Sequence, residues 1–118
     1  MRKRITAFKH AFSGLTIFFS ETFHARVHLI AALAVMCLGL YFSISSQEWI
    51  AIVLCIALVF SLEAVNSAIE YTVDLACMEE NELAKKAKDV SAGAVLVSAL
   101  FSCIIAAIIF IPYLRFLW

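Results

Sequence analysis

Charge is what this chain has least of. Only 15% of its 118 residues are Asp, Glu, Lys or Arg, nine of each sign, and the formal net charge is zero. Without a basic excess there is no electrostatic footprint for nucleic acid, so none is expected as a partner. Proline occurs once and glycine three times. The glycines at 14, 39 and 93 are isolated, which excludes a GxxxxGK[ST] loop or any other glycine-rich phosphate cradle. The four cysteines show no CxxC or Cys/His spacing. Cys37, Cys55 and Cys103 lie in apolar runs and Cys77 ends a polar one, the pattern of small reduced hydrophobes rather than of a metal or disulfide framework. The basic start leads into an amphipathic stretch with no small-residue cleavage site after it, so no signal peptide is expected. What the chain has instead is apolar residues, 64% of the total. A soluble domain of this size could not hide so much apolar surface inside itself. Residues 1–118 read as one all-α domain embedded in a membrane.

Three apolar runs define the spans, at about 27–44, 49–74 and 92–112, each near the 17–25 residues that a bilayer core requires. Trp49, Tyr113 and Trp118 sit at their ends, where interfacial aromatics are expected. Ahead of them, in residues 1–26, Ile5, Phe8, Phe12, Leu15 and Phe19 recur at helical steps within a sector of about 80°. Arg2, Lys3, Arg4 and Lys9 flank or oppose that stripe, as in an amphipathic helix lying on the membrane surface. Lysine and arginine cluster before the first span and at Lys85, Lys86 and Lys88, while the turn "SISSQE" has neither. The positive-inside rule therefore places the N-terminus and the segment between spans two and three in the cytoplasm, and the C-terminus outside.

The second span ends in "LEAVNSAIEYTVD", residues 62–74, which holds three of the nine acidic residues. Glu63, Asn66, Glu70 and Asp74 are spaced 3, 4 and 4, so at 100° per residue they form one stripe about 80° wide. An ionisable group at membrane depth costs at least about 2.5–3.5 kcal/mol and normally marks function. An interhelical polar zipper would need one amide, not three mutually repelling carboxylates. "ENELAKKAKD", read as a short loop before the third span, supplies Lys85, Lys86, Lys88 and Asp89 at the same rim. Carboxylates facing lysines, with no soft ligands nearby, suit Mg²⁺ and phosphates. Phosphoryl transfer asks for little more than a metal, a lysine for charge and a carboxylate to accept a hydroxyl proton. The alternative is a small proton- or cation-coupled transporter, which three spans and a lysine-rich segment argue against.

These residues resemble a known family. "EAVNSAIEYTVD" followed by "LAKKAKDVSAGAV" is similar to the signature of the small prokaryotic diacylglycerol kinases and undecaprenol kinases, over about His10 to Pro112. The resemblance implies a homotrimer of three-span subunits in the bacterial inner membrane, with active sites shared between subunits that use MgATP and a lipid alcohol. It implies Glu63 as catalytic base with Asn66 beside it and Glu70 on the metal. Asp74, Lys86, Lys88, Asp89 and His10 fall to the nucleotide or its metal, and Gly14 matches a surface-helix glycine. "HAFSG", "AKDVSAGAV" and "IFIP" look more like the undecaprenol branch. One position departs from the pattern: counted from Gly14 and His28, the second metal glutamate falls on Thr22, and the glutamate here is Glu21. Glu21 is expected to take the metal role if the backbone at "SETFH" adjusts, with Thr22 a neighbour or helix cap.

Overall fold

The computed structural model describes residues 2–115, with side chains from Arg4 onward. Trp118 and the side chains of Arg2 and Lys3 lie outside the described residues. The chain folds as four helices: α1 (Arg2–Glu21), α2 (Phe23–Phe42), α3 (Ser46–Ala76) and α4 (Glu82–Arg115). The last three are long and apolar enough to cross a membrane, and at most 28% of the most apolar window of each is buried inside the chain. The rest are half-buried or exposed, and large apolar side chains such as Leu40, Leu54 and Ile108 face outward, which lipid permits and water would not.

Two boundaries differ from the sequence reading. "ENELAKKAKD" is not a loop: α4 begins at Glu82 and carries Lys85, Lys86, Lys88 and Asp89 on helix. Its Ala, Leu, Lys and Glu are strong helix formers. Asn81 starts it, its side-chain oxygen accepting from the backbone N–H groups of Leu83 (2.8 Å) and Ala84 (3.3 Å). The turn in "SISSQE" shrinks to residues 43–45, because Ser45 caps α3 through a reciprocal capping box with Glu48. Ser43 ends α2 in the left-handed conformation, φ 51° and ψ 49°, with its N–H and that of Ile44 bonded back to Leu40 and Gly39. That conformation costs a residue with a side chain about 1–2 kcal/mol.

This turn is closed by a core. Ile44, Ile52, Ile109 and Phe110 are buried together, with Phe42, Trp49 and Tyr113 packed around them. Trp49 covers Gly39 so closely that a Cβ there would stand 2.8 Å from the ring. Tyr113 donates to Glu48 (2.8 Å), tying the end of α4 to the start of α3. At the opposite end Phe18 and Phe19 of α1 meet Phe60 of α3 edge to face, at 6.4 and 5.6 Å between centroids. Between the two ends, small side chains including Ala32, Ala99 and Ala106 leave a groove of about 150 Å³ among α2, α3 and α4. At 1.5 Å per residue, the 31 residues of α3 reach about 46 Å, well beyond a hydrocarbon core of about 30 Å. Its C-terminal turns therefore have to be polar, and they are.

Candidate functional site

The polar stripe occupies one face of α3 and looks toward α4. Glu63 is the deepest member, only 2% exposed, and its Oε1 has no hydrogen-bond partner among the described residues. Ser67 donates to the Glu63 backbone carbonyl (3.0 Å), so the turn around Glu63 is fixed although the carboxylate is not. One turn on, Asn66 is buried and bonded on both sides. Its amide nitrogen donates to Glu70 Oε1 (3.2 Å), and its oxygen accepts from Ser91 of α4 (2.6 Å). The Ser91 hydroxyl also lies 2.9 Å from the carbonyl oxygen of Lys88, the residue one turn earlier. The Lys88 ammonium then pairs with Asp74 (2.5 Å) at the exposed end of the stripe.

Glu70, Asn66 and Ser91 are thus bonded in series, and the Lys88–Asp74 pair stands one turn from Ser91. Glu63 to Asp74 covers about 16 Å along the axis at 1.5 Å per residue. Burial falls along the series: Glu63 and Asn66 are buried, Glu70 and Asp74 exposed. Such a gradient exposes one end to water-borne groups and holds the other inside the bundle. Asp74, Lys85 and Lys88 also line a broad recess at the α3–α4 connection, of about 670 Å³.

The joint between α1 and α2 approaches α3 from the other side. Glu21 is the last residue of α1. Thr22 follows in extended backbone at the N-cap position of α2, but its side chain makes no capping bond. It points instead at Ser67, 3.4 Å between hydroxyl oxygens. Since Ser67 spends its proton on the Glu63 carbonyl, Thr22 is the donor. Glu21 accepts from the Tyr71 hydroxyl (3.2 Å). Three of the expected residues stay apart from this constellation: His10 is exposed on α1, and Lys86 and Asp89 are exposed on α4. Sequence reasoning missed Ser67, Tyr71 and Ser91. Ser91 was within reach, because it stands three residues after Lys88 and so shares its helix face.

Among the described residues no group of three or more His, Cys, Asp or Glu converges as a cage for a metal. The donor set still fits Mg²⁺, which takes one or two protein carboxylates and fills its shell with phosphate oxygens and water. Glu70 and Glu21 are exposed carboxylates, the hard-oxygen donors such an ion takes.

Three apolar helices carrying a buried carboxylate, a buried Asn66–Ser91 bond and a rim lysine paired with Asp74 suit a membrane-embedded phosphotransferase. The comparisons with known proteins make it specific. Residues 9–110 match the family described as prokaryotic diacylglycerol kinase, and the chain belongs to that family. It is 44% identical over 108 residues to an undecaprenol kinase of Bacillus subtilis, covering 92% of this chain and 88% of that one. It is 32% identical over 109 residues to a diacylglycerol kinase of Synechocystis, spanning 92% of this chain and 62% of the relative. A diacylglycerol kinase of Helicobacter pylori is 35% identical over 88 residues, covering 75% and 69%. The chain is thus a lipid kinase, not a transporter.

Proposed function

We propose that this protein transfers the γ-phosphoryl group of MgATP to the hydroxyl of a membrane lipid alcohol, undecaprenol in preference to diacylglycerol. The observation that carries the reading is a buried Asn66 bonded to both Glu70 and Ser91, with the Lys88–Asp74 pair at the rim and a buried Glu63 whose Oε1 has no partner among the described residues. A lipid hydroxyl reaches the site from the bilayer and a nucleotide reaches it from water. Glu63 accepts the hydroxyl proton as the oxygen attacks the γ-phosphorus. The bond from that phosphorus to the β–γ bridging oxygen breaks, and ADP departs with the electron pair. Asn66 is held with its amide toward Glu70 and its oxygen toward Ser91, so it can orient the hydroxyl without swinging. Lys88 exchanges Asp74 for the phosphates and offsets their charge. Glu70 and Glu21 would hold Mg²⁺, which would supply neutralisation of the phosphate charge.

The preference for undecaprenol rests on the greater identity to a relative of that name than to the diacylglycerol kinases above. The same reading makes the protein a homotrimer with sites shared between subunits, in which α1 lies on the cytoplasmic membrane surface. Ile5, Phe8, Phe12 and Leu15 of α1 are exposed, as an apolar face resting on lipid requires. The test is purified protein in mixed micelles with labelled ATP, offered undecaprenol and diacylglycerol in turn. Labelled undecaprenyl phosphate forming at several times the rate of labelled phosphatidic acid is expected. The reverse ratio overturns the substrate assignment, and label in neither lipid overturns the activity.

A further inference from the structure

We propose that Tyr71 is a positioning residue that holds the Glu21 carboxylate against α3 as a second arm of the cation site. The proposal rests on the metal role of Glu21 given above. Glu21 and Tyr71 stand 50 residues apart in the chain, and the contact between them is a single directed hydrogen bond, Tyr71 hydroxyl to Glu21 Oε2, 3.2 Å. Both residues are exposed. A free glutamate at a helix end would sample many rotamers in water, and ordering such a side chain costs conformational entropy. The phenol answers this with a ring of only two side-chain torsions, rooted on α3 directly after Glu70.

The neighbouring contact explains why Glu21 and not Thr22 is the residue presented. Thr22 donates its hydroxyl to Ser67, one helical turn before Tyr71 on the same face. The two consecutive residues of the joint are therefore fastened to two successive turns of α3, and the extended backbone at Thr22 lets them reach both. With Thr22 committed to Ser67, Glu21 is held at the next turn of α3, where Tyr71 directly follows Glu70 in the chain. A carboxylate has two oxygens and about four acceptor sites. Tyr71 uses one of them, which leaves the other oxygen available to a hard cation. A hydrogen bond to one oxygen also fixes the plane of the other.

The test uses the full chain in detergent micelles, with Mn²⁺ as probe and a non-hydrolysable ATP analogue, reading free Mn²⁺ by electron paramagnetic resonance. Tyr71→Phe keeps the ring and removes only the hydroxyl. It is expected to weaken Mn²⁺ binding by about 3- to 10-fold, the span of one ordinary hydrogen bond. Glu21→Gln should weaken it at least as much, and the double variant should match Glu21→Gln alone, because Tyr71 acts only through Glu21. Unchanged Mn²⁺ affinity in Tyr71→Phe alongside weakened binding in Glu21→Gln overturns the role of Tyr71 while leaving Glu21 on the metal. A double variant weaker than Glu21→Gln also overturns it. Unchanged affinity in both single variants removes Glu21 from the metal and the tether with it.

Discussion

Glu63 and Asn66 are both buried on α3, yet their surroundings prepare them for different work. Asn66 is satisfied on both sides, so its geometry is set before any substrate arrives. Glu63 keeps an oxygen without a partner in a place where desolvating a charge is costly. A general base contributes about 10²–10⁴-fold. Glu63→Gln, which keeps size and removes basicity, is expected to lose a factor in that range in kcat with little change in the nucleotide KM. Steady-state kinetics with saturating lipid check this. Ser91 is the hinge of the series and has no charge of its own. Ser91→Ala takes away the donor to Asn66 and leaves a buried amide oxygen unpaired, at a cost of about 1–3 kcal/mol. Both thermal stability and kcat are expected to fall, with Ser91→Thr recovering much of each.

At the scale of elements, the α2–α3 turn holds the fold at the end away from the chemistry. Its parts act in opposite senses. Gly39 lies under Trp49, where an added Cβ would meet the indole at 2.8 Å. Overpacking of that kind costs about 1–3 kcal/mol, so Gly39→Ala should lower the unfolding midpoint in detergent. Ser43 occupies the left-handed region that favours glycine. Ser43→Gly should therefore raise the midpoint, by relieving part of the strain of about 1–2 kcal/mol. The same denaturation series, monitored by circular dichroism, reads both shifts. Neither substitution touches the polar series, so kcat measured below the transition should follow wild type.

Across the whole molecule, the three apolar runs were legible because a bilayer core demands length and little else. The stripe at 63, 66, 70 and 74 was legible because 3,4,4 spacing has one geometric meaning on a helix. The start of α4 was harder. "ENELAKKAKD" is polar, and polarity suggested a loop, while its residues are strong helix formers that Asn81 caps. The contacts of Glu21 and Thr22 were out of reach, since they depend on where α1 ends against a helix 45 or more residues away. Orientation in the membrane is a property of the whole charge distribution. The positive-inside rule applied to the basic residues at the start of α1 and of α4 predicts that a cysteine replacing Ser45 reacts with an impermeant maleimide outside intact cells. One replacing Asn81 is expected to stay protected. The four native cysteines are removed first, because Cys77 lies four residues from Asn81.

The bond between Ser91 and Asn66 also sets an order in time. While the ribosome is still making α4, the inner half of α3 already carries Glu63 and Asn66, and the hydroxyl that satisfies the amide oxygen lies 25 residues downstream. Unsatisfied polar groups are poorly tolerated in hydrocarbon. Until Ser91 is made, the Asn66 amide oxygen lacks the hydroxyl from which it accepts in the finished fold, so the second span completes its polar face only with the third.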